Sequence, residues 1–157
     1  MEQGFGGPFA PGPQEAELRN AVVADADDVA RLLVELGYPC DTAEAAERIG
    51  AVVENDRQVL VVARCHGRVC GLIALDFMYY LPLGTSTCRV TALVVNAEAQ
   101  RHGIGRQLLR DAERRARLGG AARIELTSGS QRTEAHAFYR ACGYSDGTLR
   151  FIKQLGT

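Results

Sequence analysis

The sequence predicts a mixed α/β fold in a single domain. Short apolar, β-branched runs alternate with segments whose apolar residues recur at helical spacing, in the order β-α-α-β-β-β-α-β-α-β(-β). A chain of 157 residues is also long enough to bury one sizeable core. Residues 1–16 are rich in glycine and proline, so we expect a flexible tail there and a folded domain over residues 17–157.

The first half of the domain is predicted to contain two helices and a hairpin after an opening strand. Asp25 and Asp41 each precede a stretch with one apolar stripe, and Glu44 follows Asp41 at the spacing of a capping box. His66-Gly67 is a two-residue turn typical of a hairpin. The predicted ranges are 18–23 for the first strand, 25–36 and 41–54 for the helices, and 58–64 and 68–80 for the hairpin strands.

The second half is predicted to alternate strands and helices, and its helix over residues 103–118 has the strongest pattern. The residues of its buried stripe are Ile104, Leu108, Ala112 and Ala116. The other predicted elements are a loop over 81–86, strands over 87–95 and 122–127, a helix over 133–141, and one or two closing strands between 144 and 154.

A loop with two glycines connects the strand that ends at Val95 to this strongest helix. Gly103 and Gly105 let a bulky group approach the main chain, and the helix N-terminus turns backbone N–H groups toward that group. Arg101 and Arg106 add positive charge beside those N–H groups. The loop therefore predicts an anion site, and a pyrophosphate is the natural ligand.

Two motifs carry a family resemblance. The run Gln100-Arg101-His102-Gly103-Ile104-Gly105 is similar to the Gln/Arg-x-x-Gly-x-Gly cofactor loop of the GNAT N-acetyltransferase superfamily. The segment from Ala135 to Tyr144 resembles the Ala-x-x-x-Tyr-x-x-x-Gly-Phe/Tyr segment of the same family. The resemblance covers residues 18–154, and it implies a mostly antiparallel sheet of six or seven strands, splayed at its centre, with about four helices on its faces.

The resemblance implies that the chain uses acetyl-CoA as its acetyl donor. The coenzyme arm would enter a V-shaped gap between the strand ending at Val95 and the strand over residues 124–127, where main-chain groups are unshared. Arg132 stands where many family members have an asparagine that binds or positions the arm. The residues implied to bind the coenzyme are Leu93, Val94, Val95, Gln100, Arg101, His102, Gly103, Ile104, Gly105, Arg106 and Arg132.

The resemblance also implies that Tyr139 lies beside the coenzyme sulfur as the general acid. A phenol with a pKa near ~10 is protonated at neutral pH and can give its proton to the leaving thiolate. Phe138 is the better core residue, because it faces the apolar stripe of its helix. His136 is either a proton relay or a hydrogen-bonded residue on the helix face, and a backbone N–H near Leu93 or Val94 polarises the thioester carbonyl.

The sequence leaves the general base open. Arg89 occupies the position where some relatives have a glutamate, and an arginine cannot accept the proton of the amine. Asp76 and Glu125 lie on strands near the expected cleft, and Glu35 ends the first helix. A relay of ordered waters is an equal alternative.

These features predict N-acetyl transfer to a primary amine of a small molecule, in preference to a peptide or protein. The amine attacks directly in a ternary complex, without an acyl-enzyme. The alternative is a non-catalytic module that binds acyl-CoA as a sensor, because position 89 lacks the glutamate. Residues 38–41, 76–80 and 81–86 are expected to select the acceptor, with Tyr79 and Tyr80 either lining a pocket or serving as ordinary strand residues. Neither the acceptor itself nor the range of acyl groups follows from the sequence.

Composition argues against several other classes. A net charge of -1 gives no electrostatic footprint for nucleic acid or an anionic membrane, and no apolar run approaches the length of a membrane span. The five cysteines include no Cys-x-x-Cys, and the pair Cys65 and Cys70 has no second pair to complete a zinc site. We therefore expect reduced thiols, no metal and a cytoplasmic protein. A homodimer is an expectation from the family alone.

Overall fold

The structure of the protein, a computed structural model, describes residues 16–128, 133–147 and 149–156, and the chain divides into two compact units, Met1–Thr127 and Ser128–Thr157. In the first unit, a sheet of five strands is combined with helices, so the predicted mixed α/β class is confirmed. Its strands are β1 (Glu17–Asn20), β2 (Gln58–Cys65), β3 (Arg68–Tyr80), β4 (Thr85–Val95) and β5 (Arg123–Leu126). Its α-helices are α1 (Ala26–Leu36), α2 (Thr42–Val53) and α3 (Ile104–Leu118).

The sheet is antiparallel except at the edge formed by β5. Its spatial order is β1-β2-β3-β4-β5, and only the pairing of β4 with β5 is parallel. His66 and Gly67 have φ angles of 54° and 81°, so both turn residues of the β2–β3 hairpin are left-handed. A turn of that kind matches the twist of the strands it joins. The predicted hairpin is therefore confirmed.

Helices α2 and α3 begin and pack as their local sequences predict. At α2, Asp41 Oδ1 accepts from the Glu44 N–H at 2.8 Å, and Glu44 Oε1 accepts from the Asp41 N–H at 3.0 Å, which confirms the capping box. Leu109 joins the predicted stripe of α3 in the core. The buried residues of α3 are Ile104, Leu108, Leu109, Ala112 and Ala116.

The helices cover opposite faces of the sheet. Leu32 of α1 and Ile49 of α2 belong to one buried cluster with Val62 of β2 and Leu72 of β3, and we call this side of the sheet the front face. Helix α3 lies on the other side, because a Cβ added at Gly119 would come within 2.9 Å of the Phe77 ring. Successive residues of a strand point to opposite faces, so each residue's face follows from the register.

Strand β4 contains a bulge close to the point where β5 ends. The register between β3 and β4 shifts after Ala74, which leaves Thr91 as the additional residue. Pairing between β4 and β5 ends at Val90 and Leu126. Residues 91–95 of β4 therefore continue past the last paired residue of β5, at the place where the resemblance implies the splay, and we call this unpaired stretch the splayed end of β4.

The second unit contains α4 (Thr133–Ala141), the helix predicted for these residues. The predicted closing strands are wrong, because residues 144–147 and 149–156 form no strand and the sheet has five strands where six or seven were expected. The apolar side chains behind that prediction are exposed, with Leu149 at 83% and Phe151 at 89% of full accessibility. Alternating apolar residues form a strand only when another strand supplies the ladder and the packing.

The first strand is shorter than predicted, and Asp25 has a different role. β1 ends at Asn20, and Val23–Asp25 form a 3-10 turn. Asp25 occupies the N-cap position of α1, but its side chain makes no capping bond. The carboxylate instead accepts from both terminal guanidinium nitrogens of Arg19, at 2.8 and 2.9 Å, and from the Val22 N–H at 2.8 Å. These contacts connect β1 to the beginning of α1.

Asparagine at position 25 is expected to lower the free energy of unfolding by about 1.5–3 kcal/mol at neutral pH, because a part-buried charge-assisted pair is lost. The hydrogen bonds from Arg19 hold the pKa of Asp25 below its ordinary value of about 3.9. The stabilisation is complete above that ordinary value and is lost as pH falls through the folded-state pKa. In urea titrations, the free energies of unfolding of wild type and Asp25→Asn should therefore become equal in acid. The exposed control Asp56→Asn should have the free energy of unfolding of wild type at every pH.

Candidate functional site

Hydrogen bonds within the connection between β4 and α3 fix its course. Asn96 Oδ1 accepts from the Glu98 N–H at 2.7 Å and begins a 3-10 turn over Ala97–Ala99. The side-chain amide of Gln100 then donates to the Val95 carbonyl at 2.9 Å. Gln100, predicted from sequence to bind the coenzyme, therefore closes the loop onto the end of the strand in this structure.

The backbone from Arg101 to Arg106 presents a run of unpaired N–H groups. Arg101 and Gly103 are left-handed, with φ angles of 71° and 81°, and the first bond of α3 runs from the Gln107 N–H to the Gly103 carbonyl at 3.0 Å. Within the described ranges, no acceptor binds the N–H groups of residues 101–106. Alternation of left- and right-handed residues before a helix turns such groups toward a common point. The arrangement is suited to an anion.

Burial differs sharply within this loop. Arg101, His102 and Gly103 are exposed, whereas the side chain of Ile104, the first residue of α3, is 1% accessible and lies in the core. Arg106 is half-buried. The packing of Ile104 therefore anchors the loop, while the polar groups on either side of it remain accessible to a ligand.

The splayed end of β4 offers main-chain groups on its β5 side. The Asn96 N–H donates to the Cys70 carbonyl of β3 at 2.7 Å, so by alternation Val94 also faces β3. Leu93 and Val95 then direct their main-chain groups away from β3, past the last β4–β5 pair. The Val95 carbonyl already accepts from Gln100. The main chain of Leu93 and the N–H of Val95 are therefore the parts of this edge that can pair with an extended ligand.

Charged residues of three strands meet on the front face just before the splay. Asp76 of β3 pairs in register with Arg89 of β4, which pairs with Glu125 of β5. Arg89 Nη2 lies 3.6 Å from Glu125 Oε2, and Arg123 Nη2 lies 3.9 Å from Glu125 Oε1. The Arg123 guanidinium carbon also lies 4.7 Å from the centre of the Tyr80 ring. We call Asp76, Arg89, Arg123 and Glu125 the charged cluster; sequence reasoning noted Asp76, Arg89 and Glu125 singly and missed Arg123.

The structure separates the carboxylates that the sequence left as alternatives for the general base. Glu35 Oε1 accepts from the Ala97 N–H at 3.1 Å, so Glu35 holds the turn after β4. Glu125 lies between two arginines in the charged cluster. Asp76 forms no ion pair or hydrogen bond with another side chain of the described residues. It is the carboxylate left available beside the splay.

A groove of about 450 Å³ lies between α1 and the beginning of α2. Two of its lining residues, Cys40 and Asp41, belong to the segment predicted to select the acceptor. Of the two tyrosines in the same prediction, Tyr80 points to the front face beside Arg123, and Tyr79 points to the opposite face and is 63% exposed. Only Tyr80 therefore shares the face of the charged cluster.

Cys88 lies on β4 next to Arg89 but on the opposite face of the sheet. Its side chain is fully buried, and burial together with the nearby charge of Asp76 raises the pKa of the thiol to about 11. Because the thiolate is the nucleophilic form, Cys88 is not activated for attack on a thioester at neutral pH. This agrees with a mechanism that has no acyl-enzyme on Cys88.

Helix α4 of the second unit contains the remaining predicted residues. The Tyr139 side chain is half-buried, and its ring centre lies 5.5 Å from that of Phe138 and 6.3 Å from that of Tyr144. The Tyr144 N–H donates to the Tyr139 carbonyl at 3.0 Å, which closes the end of the helix. His136 is half-buried one turn earlier. Arg132 lies outside the described residues.

The described residues contain neither a metal-binding cluster nor a membrane-spanning helix. In residues 16–128, 133–147 and 149–156, no group of three or more His, Cys, Asp or Glu side chains is placed to hold a metal ion. No helix in these same ranges has the length and hydropathy needed to cross a membrane.

Comparisons with known proteins agree with the motifs. Residues 26–144 match the model of the acetyltransferase (GNAT) family. The chain is 33% identical over 140 residues to an aminoalkylphosphonate N-acetyltransferase of Salmonella typhimurium, a match that covers 88% of this chain and 91% of the relative.

Solved structures share the fold at lower sequence identity. A transcriptional regulator from Bacillus halodurans C-125 superposes with a TM-score of 0.83 at 21% identity, over 90% of this chain and 100% of its own. The glucosamine-6-phosphate N-acetyltransferase of Arabidopsis thaliana superposes with a TM-score of 0.78 at 16% identity, over 91% of this chain and 100% of its own.

Proposed function

The chain belongs to the GNAT family and is an acetyl-CoA-dependent N-acetyltransferase, and from this premise we propose that it acetylates the primary amine of a small aminoalkyl compound by direct attack in a ternary complex. The observation that carries the proposal is the run of unpaired N–H groups from Arg101 to Arg106 beside the splayed end of β4. The relative from Salmonella makes aminoalkylphosphonates the first acceptors to test.

The residues of the first unit fit the coenzyme at two places. The N–H groups of residues 101–106 would hold the diphosphate, with Arg101 and Arg106 supplying charge. The Leu93 carbonyl and the Val95 N–H, which both face away from β3, would pair with the extended arm as an added strand does. Arg132 is proposed from sequence alone to bind the arm or a phosphate. The bound coenzyme supplies an activated acetyl thioester.

The chain's own groups would manage charge and protons during transfer. The Leu93 N–H faces the open side of β4 and is the donor proposed to stabilise the developing oxyanion. Tyr139 is proposed to donate its phenolic proton to the departing thiolate. Asp76, which forms no ion pair within the described residues, is proposed to draw the amine proton away through water.

An assay of thiol release from acetyl-CoA tests the proposed function. The panel contains aminoalkylphosphonates, amino acids and alkylamines without an acidic group, and the acetylated product is identified by mass. We expect turnover on at least one small primary amine and intersecting initial-velocity lines, since both substrates must be bound before transfer. Cys88→Ala should keep turnover within about threefold of wild type, because its thiol is protonated and takes no part.

Parallel initial-velocity lines, together with an acetylated protein, would contradict direct transfer.

The presence of Arg89 where some relatives have a glutamate favours a second function, an acyl-CoA sensor without catalysis. Tight coenzyme binding with no turnover on any amine would support the sensor and overturn the enzyme.

A further inference from the structure

The charged cluster leaves donors of its arginines incompletely used. Arg89 Nε is buried and has no hydrogen-bond partner within the described ranges, although 41% of the side chain is accessible. A buried guanidinium N–H without an acceptor is costly unless a ligand or water supplies one. The guanidinium therefore has both an unfilled donor and an open side.

The ion pairs of the cluster are long. Glu125 lies 3.6 Å from Arg89 and 3.9 Å from Arg123, whereas Asp111 on α3 approaches Arg114 and Arg115 to 2.7 Å. Charge-assisted bonds are normally near 2.7–2.9 Å, about the value seen on α3. A single carboxylate placed between two arginines at these distances does not use all of their N–H donors. The remaining guanidinium donors can therefore bind another oxyanion.

The cluster is also in the right place for an acceptor. Arg89 and Glu125 immediately precede Val90 and Leu126, the last pair before the splay. They face the front of the sheet, while α3, whose N-terminus would hold the diphosphate, lies on the back. An acceptor on the front face would thus approach the splay from the side opposite the coenzyme loop.

Opposite charges in the cluster suit a molecule with two different ends. Asp76 and Arg89 are cross-strand neighbours, with Cβ atoms about 4.5–5.5 Å apart in such a pair. A short aminoalkyl chain with an acidic group spans a similar distance. Its amine would lie toward Asp76 and its acidic group toward the arginines.

We propose that Arg89, supported by Arg123, is the specificity-determining residue that binds the acidic group of an aminoalkyl acid, a phosphonate, phosphate or carboxylate. The inference rests on the proposed function, because it assigns the acceptor of that same site. Arg89 is bidentate toward the oxyanion, and Arg123, held against Tyr80 and by a 3.3 Å bond from its Nε to Thr87 Oγ1, adds charge from the next strand.

The test uses two acceptors of equal length, 2-aminoethylphosphonate and propylamine, which lacks the acidic group. Each is assayed with wild type, Arg89→Gln, Arg89→Lys and Arg64→Gln. Arg64 is the matched control, since it is an ion-paired arginine of the same sheet with 38% accessibility. Arg89→Gln should raise KM for the phosphonate by about 10- to 100-fold and change KM for propylamine by less than about threefold. Arg89→Lys should recover part of the loss, and Arg64→Gln should match wild type.

Binding without turnover provides a second measurement. In calorimetric titrations of the phosphonate into protein saturated with coenzyme A, Arg89→Gln should lose affinity by a similar factor. With 3-aminopropionate, which has a carboxylate as its acidic group, the affinities of the variants should fall in the same order. Equal effects of Arg89→Gln on amines with and without an acidic group, or no effect on either, would overturn the inference while acetyl transfer stands. Absence of turnover on every amine in wild type would instead overturn the proposed function, and this inference with it.

Discussion

Valine at Gly103 is expected to weaken coenzyme A binding by at least about 100-fold. The φ angle of Gly103 is 81°, a conformation that a β-branched residue adopts only with strain of about 1–2 kcal/mol or more. Relief of that strain would rotate the neighbouring N–H groups away from their common point. Each amide-to-phosphate bond contributes about 1.5–3 kcal/mol, so the loss of two bonds produces a change of this size.

The hairpin turn supplies a matched control for this variant. Gly67 has the same φ of 81° and open space around its Cβ position, so Gly67→Val introduces the same backbone strain far from the loop in sequence. Circular dichroism establishes that each variant is folded, and calorimetry measures coenzyme binding. Unchanged affinity in a folded Gly103→Val protein would contradict the proposed diphosphate site.

If Tyr139 is the general acid as proposed, phenylalanine at this position is expected to lower kcat by about 10- to 1,000-fold, because the departing thiolate loses its proton donor. Coenzyme affinity should stay within about threefold of wild type, since removal of one hydroxyl leaves the ring and its contacts with Phe138 in place. The measurement is steady-state turnover on the best amine of the panel, combined with a coenzyme titration.

Tyr144 is the control for Tyr139. It is also half-buried, and its ring lies 6.3 Å from that of Tyr139, so Tyr144→Phe removes a similar phenol from the same aromatic group. We expect turnover of the Tyr144 variant within about threefold of wild type. Equal losses in the two variants would indicate a structural role for the aromatic group and would count against Tyr139 as the acid.

Features encoded by adjacent residues could be predicted from the sequence. The capping box of Asp41 and Glu44, the hairpin turn at His66-Gly67 and the buried stripe of α3 each depend on residues a few positions apart, and the structure confirms all of them. The glycine loop belongs to the same group, because its unpaired N–H groups follow from a turn that opens a helix.

Features that depend on distant partners could not be predicted in the same way. Residues 149–156 have a strand-like pattern, but a pattern does not supply the neighbouring strand. Asp25 precedes a helix as a capping residue does, but its carboxylate binds Arg19 of β1 and makes no capping bond to the helix. The charged cluster needs the register of three strands, including the bulge at Thr91 that places Arg89 on the front face.

A titration of ¹⁵N-labelled protein with coenzyme A, followed by amide chemical shifts, tests the central claim most directly. If the diphosphate lies on the loop and the arm pairs with β4, the largest shifts will come from the amides of residues 101–106 and Leu93. The amide chemical shifts of Gly50 in α2 and Gly67 in the hairpin turn, which are far from the loop in sequence, should stay unchanged. Saturable binding that leaves the amides of residues 101–106 unmoved would contradict the account.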